Sequence, residues 1–139
     1  MTDAEFSLTI PADTFAIPGV TAALETILAE RGFEEDEIHD IQLAVEEAIT
    51  NVIVHGYRDL PGMIAVRSRV SAEMAEIAIE DSAPPFDPLL LPEPDTSSDL
   101  DDRTIGGLGV HFIRELMDGI EYRYENGKNI LVLVKWRAF

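Results

Sequence analysis

Residues Ala44–Tyr57 read AVEEAITNVIVHGY, and they place two acids, an asparagine and a histidine inside an otherwise apolar run. The run belongs to a longer helical pattern from Asp36 to about His55, with apolar residues at 38, 41, 45, 48, 49 and 52 and Gly56 placed to stop it. At about 100° per residue, Ile41, Val45, Ala48 and Val52 share one narrow stripe, while Glu47, Asn51 and His55 form a second stripe along its edge. Glu46 points to the other side. Only Glu47 therefore lies one turn below Asn51, where both side chains reach a cleft bordering the core. An asparagine carbonyl is a hard neutral ligand for Mg²⁺, and a nearby carboxylate can orient or deprotonate a hydroxyl. Taken alone, the same stripe suits a solvated helix face with a chance asparagine.

The chain of 139 residues is 46% hydrophobic, which suits one globular domain over 1–139 with a real core. Its formal net charge is −17, from 27 acids against 10 Lys and Arg, and such a charge repels phosphodiester backbones and anionic membrane faces. Direct nucleic-acid or membrane binding is not expected. With no cysteine, disulfides and thiolate zinc sites are excluded. The N-terminal MTDAEFSLTIPADT lacks the basic and apolar segments of a secretory signal, and no apolar run is long enough to span a bilayer, so a cytoplasmic location is expected.

Around the decisive helix the pattern is regular. Glu5–Ile10 alternates as a strand, and Pro18–Arg31 has helical spacing ended by Gly32. Met63–Val70 and Met74–Glu80 read as a hairpin, and Ile120–Tyr124 with Ile130–Trp136 form another about Glu125-Asn126-Gly127-Lys128. Between the hairpins, Ser82–Ile105 holds five of the eight prolines and reads as a long loop. A helical pattern restarts at Gly107. The order β-α-α-β-β-loop-α-β-β predicts an α+β fold: a two-layer sandwich with a mixed, mainly antiparallel sheet and about three helices on one face.

Two further stretches carry chemistry. In IEDSAPPFDP, Ile79–Pro88, a strand ends at Asp81 before a proline turn. A carboxylate held there accepts a hydrogen bond from an exocyclic amine, although an aspartate that merely starts a turn is common. In RTIGGLGVHFIR, Arg103–Arg114, glycines open a helix whose N-terminal amides suit phosphate, although a plain hinge reads the same way. A Rossmann fingerprint it is not, since Phe112 fills the third glycine position. His39 and His111 read as surface or packing residues, because three scattered histidines without cysteine make a poor transition-metal site.

Taken in order, these three motifs resemble the GHKL ATPase superfamily and its Bergerat nucleotide-binding fold. More narrowly, EEAITNVIVHGY, IEDSAPPFDP and GGLGVHFIRELMD are similar to the anti-sigma-factor serine/threonine protein kinases, over about Ala4–Phe139. The resemblance implies ATP and Mg²⁺ as cofactors, with Glu47 as general base, Asn51 as Mg²⁺ ligand and Asp81 as the adenine-reading carboxylate. It implies nucleotide contacts from Ala83, Phe86, Arg103 and Leu108, a phosphate cradle at Gly107 and Gly109, and a lid from Ser82 to Ile105. His55 stands where the family commonly has histidine, and a structural role suits it. Partners implied are a sigma factor, a small anti-anti-sigma protein of STAS type as phosphorylation substrate, and a second copy in a homodimer.

Two departures stand out. Ala83 fills a place where the family usually has glycine, and its methyl either crowds the base or fixes the turn. Ile105-Gly106 stands where an arginine often precedes the glycines. Protein kinase and anti-sigma factor is the leading function, and a partner-switching module that holds nucleotide as a structural ligand is the alternative.

Overall fold

The computed structural model describes residues 3–90 and 113–137. Strand β1 (Ala4–Pro11) leads through a short 3₁₀ turn into helix α1 (Ile17–Glu30), and helix α2 (Glu35–Asn51) follows. Helix α1 ends at Gly32, whose φ of +88° lets Phe33 N donate to Leu28 O at 3.1 Å and Gly32 N to Ala29 O at 3.1 Å. That pairing satisfies the last carbonyls of the helix and seats Phe33 in the core. Helix α2 begins with Glu35, Asp36 and Glu37 at the positive end of its dipole. Glu34 N donates to Glu37 Oε1 at 2.9 Å, which closes the start.

Strands β2 (Met63–Val70), β3 (Met74–Asp81), β4 (Gly119–Glu125) and β5 (Lys128–Trp136) complete a five-stranded sheet of order β1-β2-β3-β5-β4. The expected predominance of antiparallel pairing is complete, because all four neighbouring pairs are antiparallel. Two hairpins supply two of the pairs. In the second, Asn126 (φ 53°) and Gly127 (φ 76°) both adopt the left-handed turn conformation that matches sheet twist.

Alternation puts Ile64, Val66 and Val70 of β2, Ile77 and Ile79 of β3, and Leu131 and Leu133 of β5 on one buried face. Val20, Leu24 and Leu28 of α1, with Ile41, Val45, Ala48 and Ile49 of α2, close over them. A short helical segment at 113–116 adds Ile113 to the same core. The opposite face carries Glu5, Arg67, Arg69, Glu76, Glu121 and Arg123, and no helix among the described residues covers it. No described helix is long and apolar enough to cross a membrane.

Gly56 does not end α2 as the sequence suggests. The chain widens into a π-helical turn over Val52–Gly56, with Tyr57 N donating to Val52 O at 2.8 Å, and reverses only at Arg58 and Asp59, which have φ of 55° and 63°. A methyl at Gly56 would lie 3.4 Å from the Ala83 Cβ, in ordinary van der Waals contact.

Candidate nucleotide site

The polar stripe of α2 takes the phase that its spacing predicts. Glu46 is exposed, Glu47 is partly buried, and Asn51 is only 3% exposed. Burial pushes the Glu47 carboxyl above its ordinary pKa, and the neighbouring charge of Glu46 adds to the rise. Asn51 Nδ2 is buried with no hydrogen-bond partner among the described residues. An orphaned amide costs free energy in a finished core, so its place on the wall of a cleft points to a ligand that completes it.

That cleft is narrow, with a cavity volume of about 20 Å³, between α2 and the sheet. Ala48, Asn51 and Val52 line one side, and Ile79, Asp81, Tyr122 and Leu131 the other, with Phe86 at the rim. Asp81, the last residue of β3, is 5% exposed. Its Oδ1 accepts from Ala83 N at 2.9 Å and from Asn129 Nδ2 at 2.8 Å. Burial raises the Asp81 pKa, against the opposing pull of those two hydrogen bonds and the Lys128 charge. The lining, apolar walls with one fixed carboxylate, has the chemistry to meet a flat heteroaromatic ring bearing an amine, and the slot must widen to admit one.

The turn after Asp81 is held from several sides. Tyr57 Oη accepts from Ser82 N at 2.9 Å and donates to Met63 O at 2.7 Å, bridging the end of α2 to β2 and the turn. Lys128 Nζ donates to Ser82 Oγ at 2.6 Å, and the His55 and Phe86 rings stack 5.7 Å apart. Two residues of the HGY at the end of the opening stretch thus become legible: His55 stacks and Tyr57 ties.

The structure brings Asn51, Asp81 and Phe86 to one cleft, with Glu47 one turn before Asn51 on the same helix. Ala83 is buried and does not line the cleft. Arg103, Gly107, Leu108, Gly109 and most of the expected lid lie outside the described residues, as does His111. His39 is exposed, and no group of His, Asp and Glu among the described residues is arranged to hold a metal ion by itself. Sequence reasoning missed Tyr122 and Asn129. A signal was present in Asn129, a polar residue at an inward position of β5 between a turn and an apolar run.

Residues 10–135 match the histidine kinase-like ATPase domain. The chain is 32% identical over 133 residues to the serine-protein kinase RsbW of Halalkalibacterium halodurans, covering 93% of this chain and 81% of the relative. It is 27% identical over 132 residues to the RsbW of Bacillus cereus, with 92% and 82% covered. Among solved structures, the RsbU and RsbW domains of Rv1364c from Mycobacterium tuberculosis superpose with a TM-score of 0.68 at 21% identity. This chain is 96% covered by that match and spans 32% of the larger one, so the likeness speaks for the fold.

Proposed function

The chain belongs to the family of the serine-protein kinases RsbW, built on the histidine kinase-like ATPase domain, and from that premise we propose that it binds ATP with Mg²⁺ and transfers the terminal phosphoryl group to a serine or threonine of a small antagonist protein. The carrying observation is the cleft in which Asp81, with one carboxylate oxygen fixed, faces the unpartnered amide of Asn51 across apolar walls. Asp81 accepts the adenine amine. Asn51 would offer its amide carbonyl to the metal, its Nδ2 being unpaired among the described residues. Bound Mg²⁺ would neutralise the triphosphate, a need sharpened by the net charge of −17. Glu47 takes the proton of the acceptor hydroxyl, a role suited by the upward shift that burial gives its pKa.

In this reading the protein is a cytoplasmic homodimer that sequesters a sigma factor and releases it to an unphosphorylated antagonist of STAS type. Support comes from the RsbW relatives and from an acidic surface suited to a basic DNA-binding partner. Calorimetric titration with ADP and ATP, with and without Mg²⁺, tests the nucleotide. Transfer of labelled phosphate to the antagonist tests the chemistry. Binding without transfer would leave nucleotide as a structural ligand, and no binding would sink the reading.

A further inference from the structure

Asn129 sits at the start of β5 directly opposite Asp81 in the β3–β5 register and is 4% exposed. Its Nδ2 donates to Asp81 Oδ1 at 2.8 Å, Ala83 O at 3.0 Å and Pro84 O at 3.2 Å. Its Oδ1 accepts from Phe86 N at 3.0 Å and from the Tyr122 hydroxyl. These partners fix the direction of the amide without ambiguity. Backbone carbonyls only accept and the Phe86 amide only donates, so a flipped side chain would set acceptor against acceptor and donor against donor. The amide face toward Asp81 is therefore always N–H.

The consequence falls on the carboxylate. Asp81 Oδ1 already takes two N–H donors, one from Asn129 and one from Ala83. It cannot rotate to present that oxygen elsewhere without losing both. Oδ2 is left as the atom that meets a base, and the pair of donors favours the charged, accepting form of the group. Resting on the reading of Asp81 as the base-contacting residue, we propose that Asn129 is a positioning residue that, braced by Tyr122, holds Asp81 as an acceptor and thereby sets the preference for a purine with an amino rather than an oxo group at its 6-position. Asn129 itself acts through Asp81.

The test measures ADP and IDP affinity by calorimetry with Mg²⁺ on the full chain, since the two ligands differ only in the 6-substituent and in the proton that the 6-oxo base carries at N1. Wild type should favour ADP. Asn129→Ala should cut ADP affinity by about tenfold to a hundredfold, the scale of a lost hydrogen bond to a charged group, while IDP affinity changes much less. In an Asp81→Asn background the same change should alter ADP affinity by less than about threefold, because residues acting as one unit do not add. Asn129→Asp keeps the shape and the acceptor oxygen but loses the donor. It should collapse the ADP preference in the same way and serves if the alanine variant does not fold. An intact preference in these variants, a parallel loss of both ligands, or additive losses with Asp81→Asn would each overturn the proposal. If wild type binds no adenine nucleotide, or Asp81→Asn binds as wild type does, the site reading falls and the inference with it. Wild-type binding that depends on Asp81 but not on Asn129 overturns the inference alone.

Discussion

Asn51 and Glu47 differ in what the fold asks of them. Because Asn51 Nδ2 has no partner among the described residues, Asn51→Ala should leave thermal stability within about 1 kcal/mol of wild type while abolishing Mg²⁺-dependent nucleotide binding, which a melt and a titration read together. Unchanged affinity would remove Asn51 from the site. Glu47→Gln should bind ATP normally and lose roughly 10²–10⁴-fold in transfer rate, whereas Glu46→Gln, at an exposed position, should be nearly silent. The reverse result would assign the base to the wrong carboxylate. Asp81 adds a dependence on pH. Its folded pKa is raised above the unfolded value, so the folded state binds a proton more tightly and stability declines as pH climbs from the unfolded pKa through the folded one. Asp81→Asn should therefore melt higher than wild type at pH 7, with the gap closing as the pH falls into the acid range. A gap that does not narrow in acid would refute a buried-charge cost. The positions of Glu47 and Asp81 were legible from phase and strand ending; the inward place of Asn129 left a signal too, but its contacts with Phe86, Pro84, Ala83 and Asp81 did not, since those residues lie 43 to 48 positions away.

The elements were legible wherever one face of a strand or helix is buried. Strands β2 and β3 show the burial alternation that their sequences suggest, and Gly32 ends α1 as read. What escaped was the π-helical turn, since a shift from four-residue to five-residue hydrogen bonds over Val52–Gly56 leaves no period to detect. That turn sets the heading of Tyr57, whose hydroxyl joins three elements. Tyr57→Phe should cost about 0.5–1.5 kcal/mol by melting and weaken nucleotide binding through a looser turn after Asp81. Gly62→Ala should do at least as much, because its methyl would overlap the Tyr57 ring. Wild-type affinity in both variants would show that the tie serves stability alone.

Across the whole molecule, charge governs the expected encounter with a partner. At −17, capture of a basic sigma factor should slow steeply as salt rises, since screening shortens to about 8 Å at physiological ionic strength. A rate flat from low to high salt rejects steering, and a monomer by light scattering rejects the homodimer. The overall architecture was readable because helices cover one side of a sheet whose other side is charged. The strand order was not, because nothing in a local pattern says that β5 inserts between β3 and β4. That insertion has a bearing on biosynthesis. The wall of the cleft comes from the strand made last among the five, so an emerging chain can collapse its two helices onto β1, β2 and β3 long before it owns Leu131 and Asn129. On the proposed reading, nucleotide would find its site complete only on a chain that has finished its sheet, which would make ligand occupancy a report on completed folding.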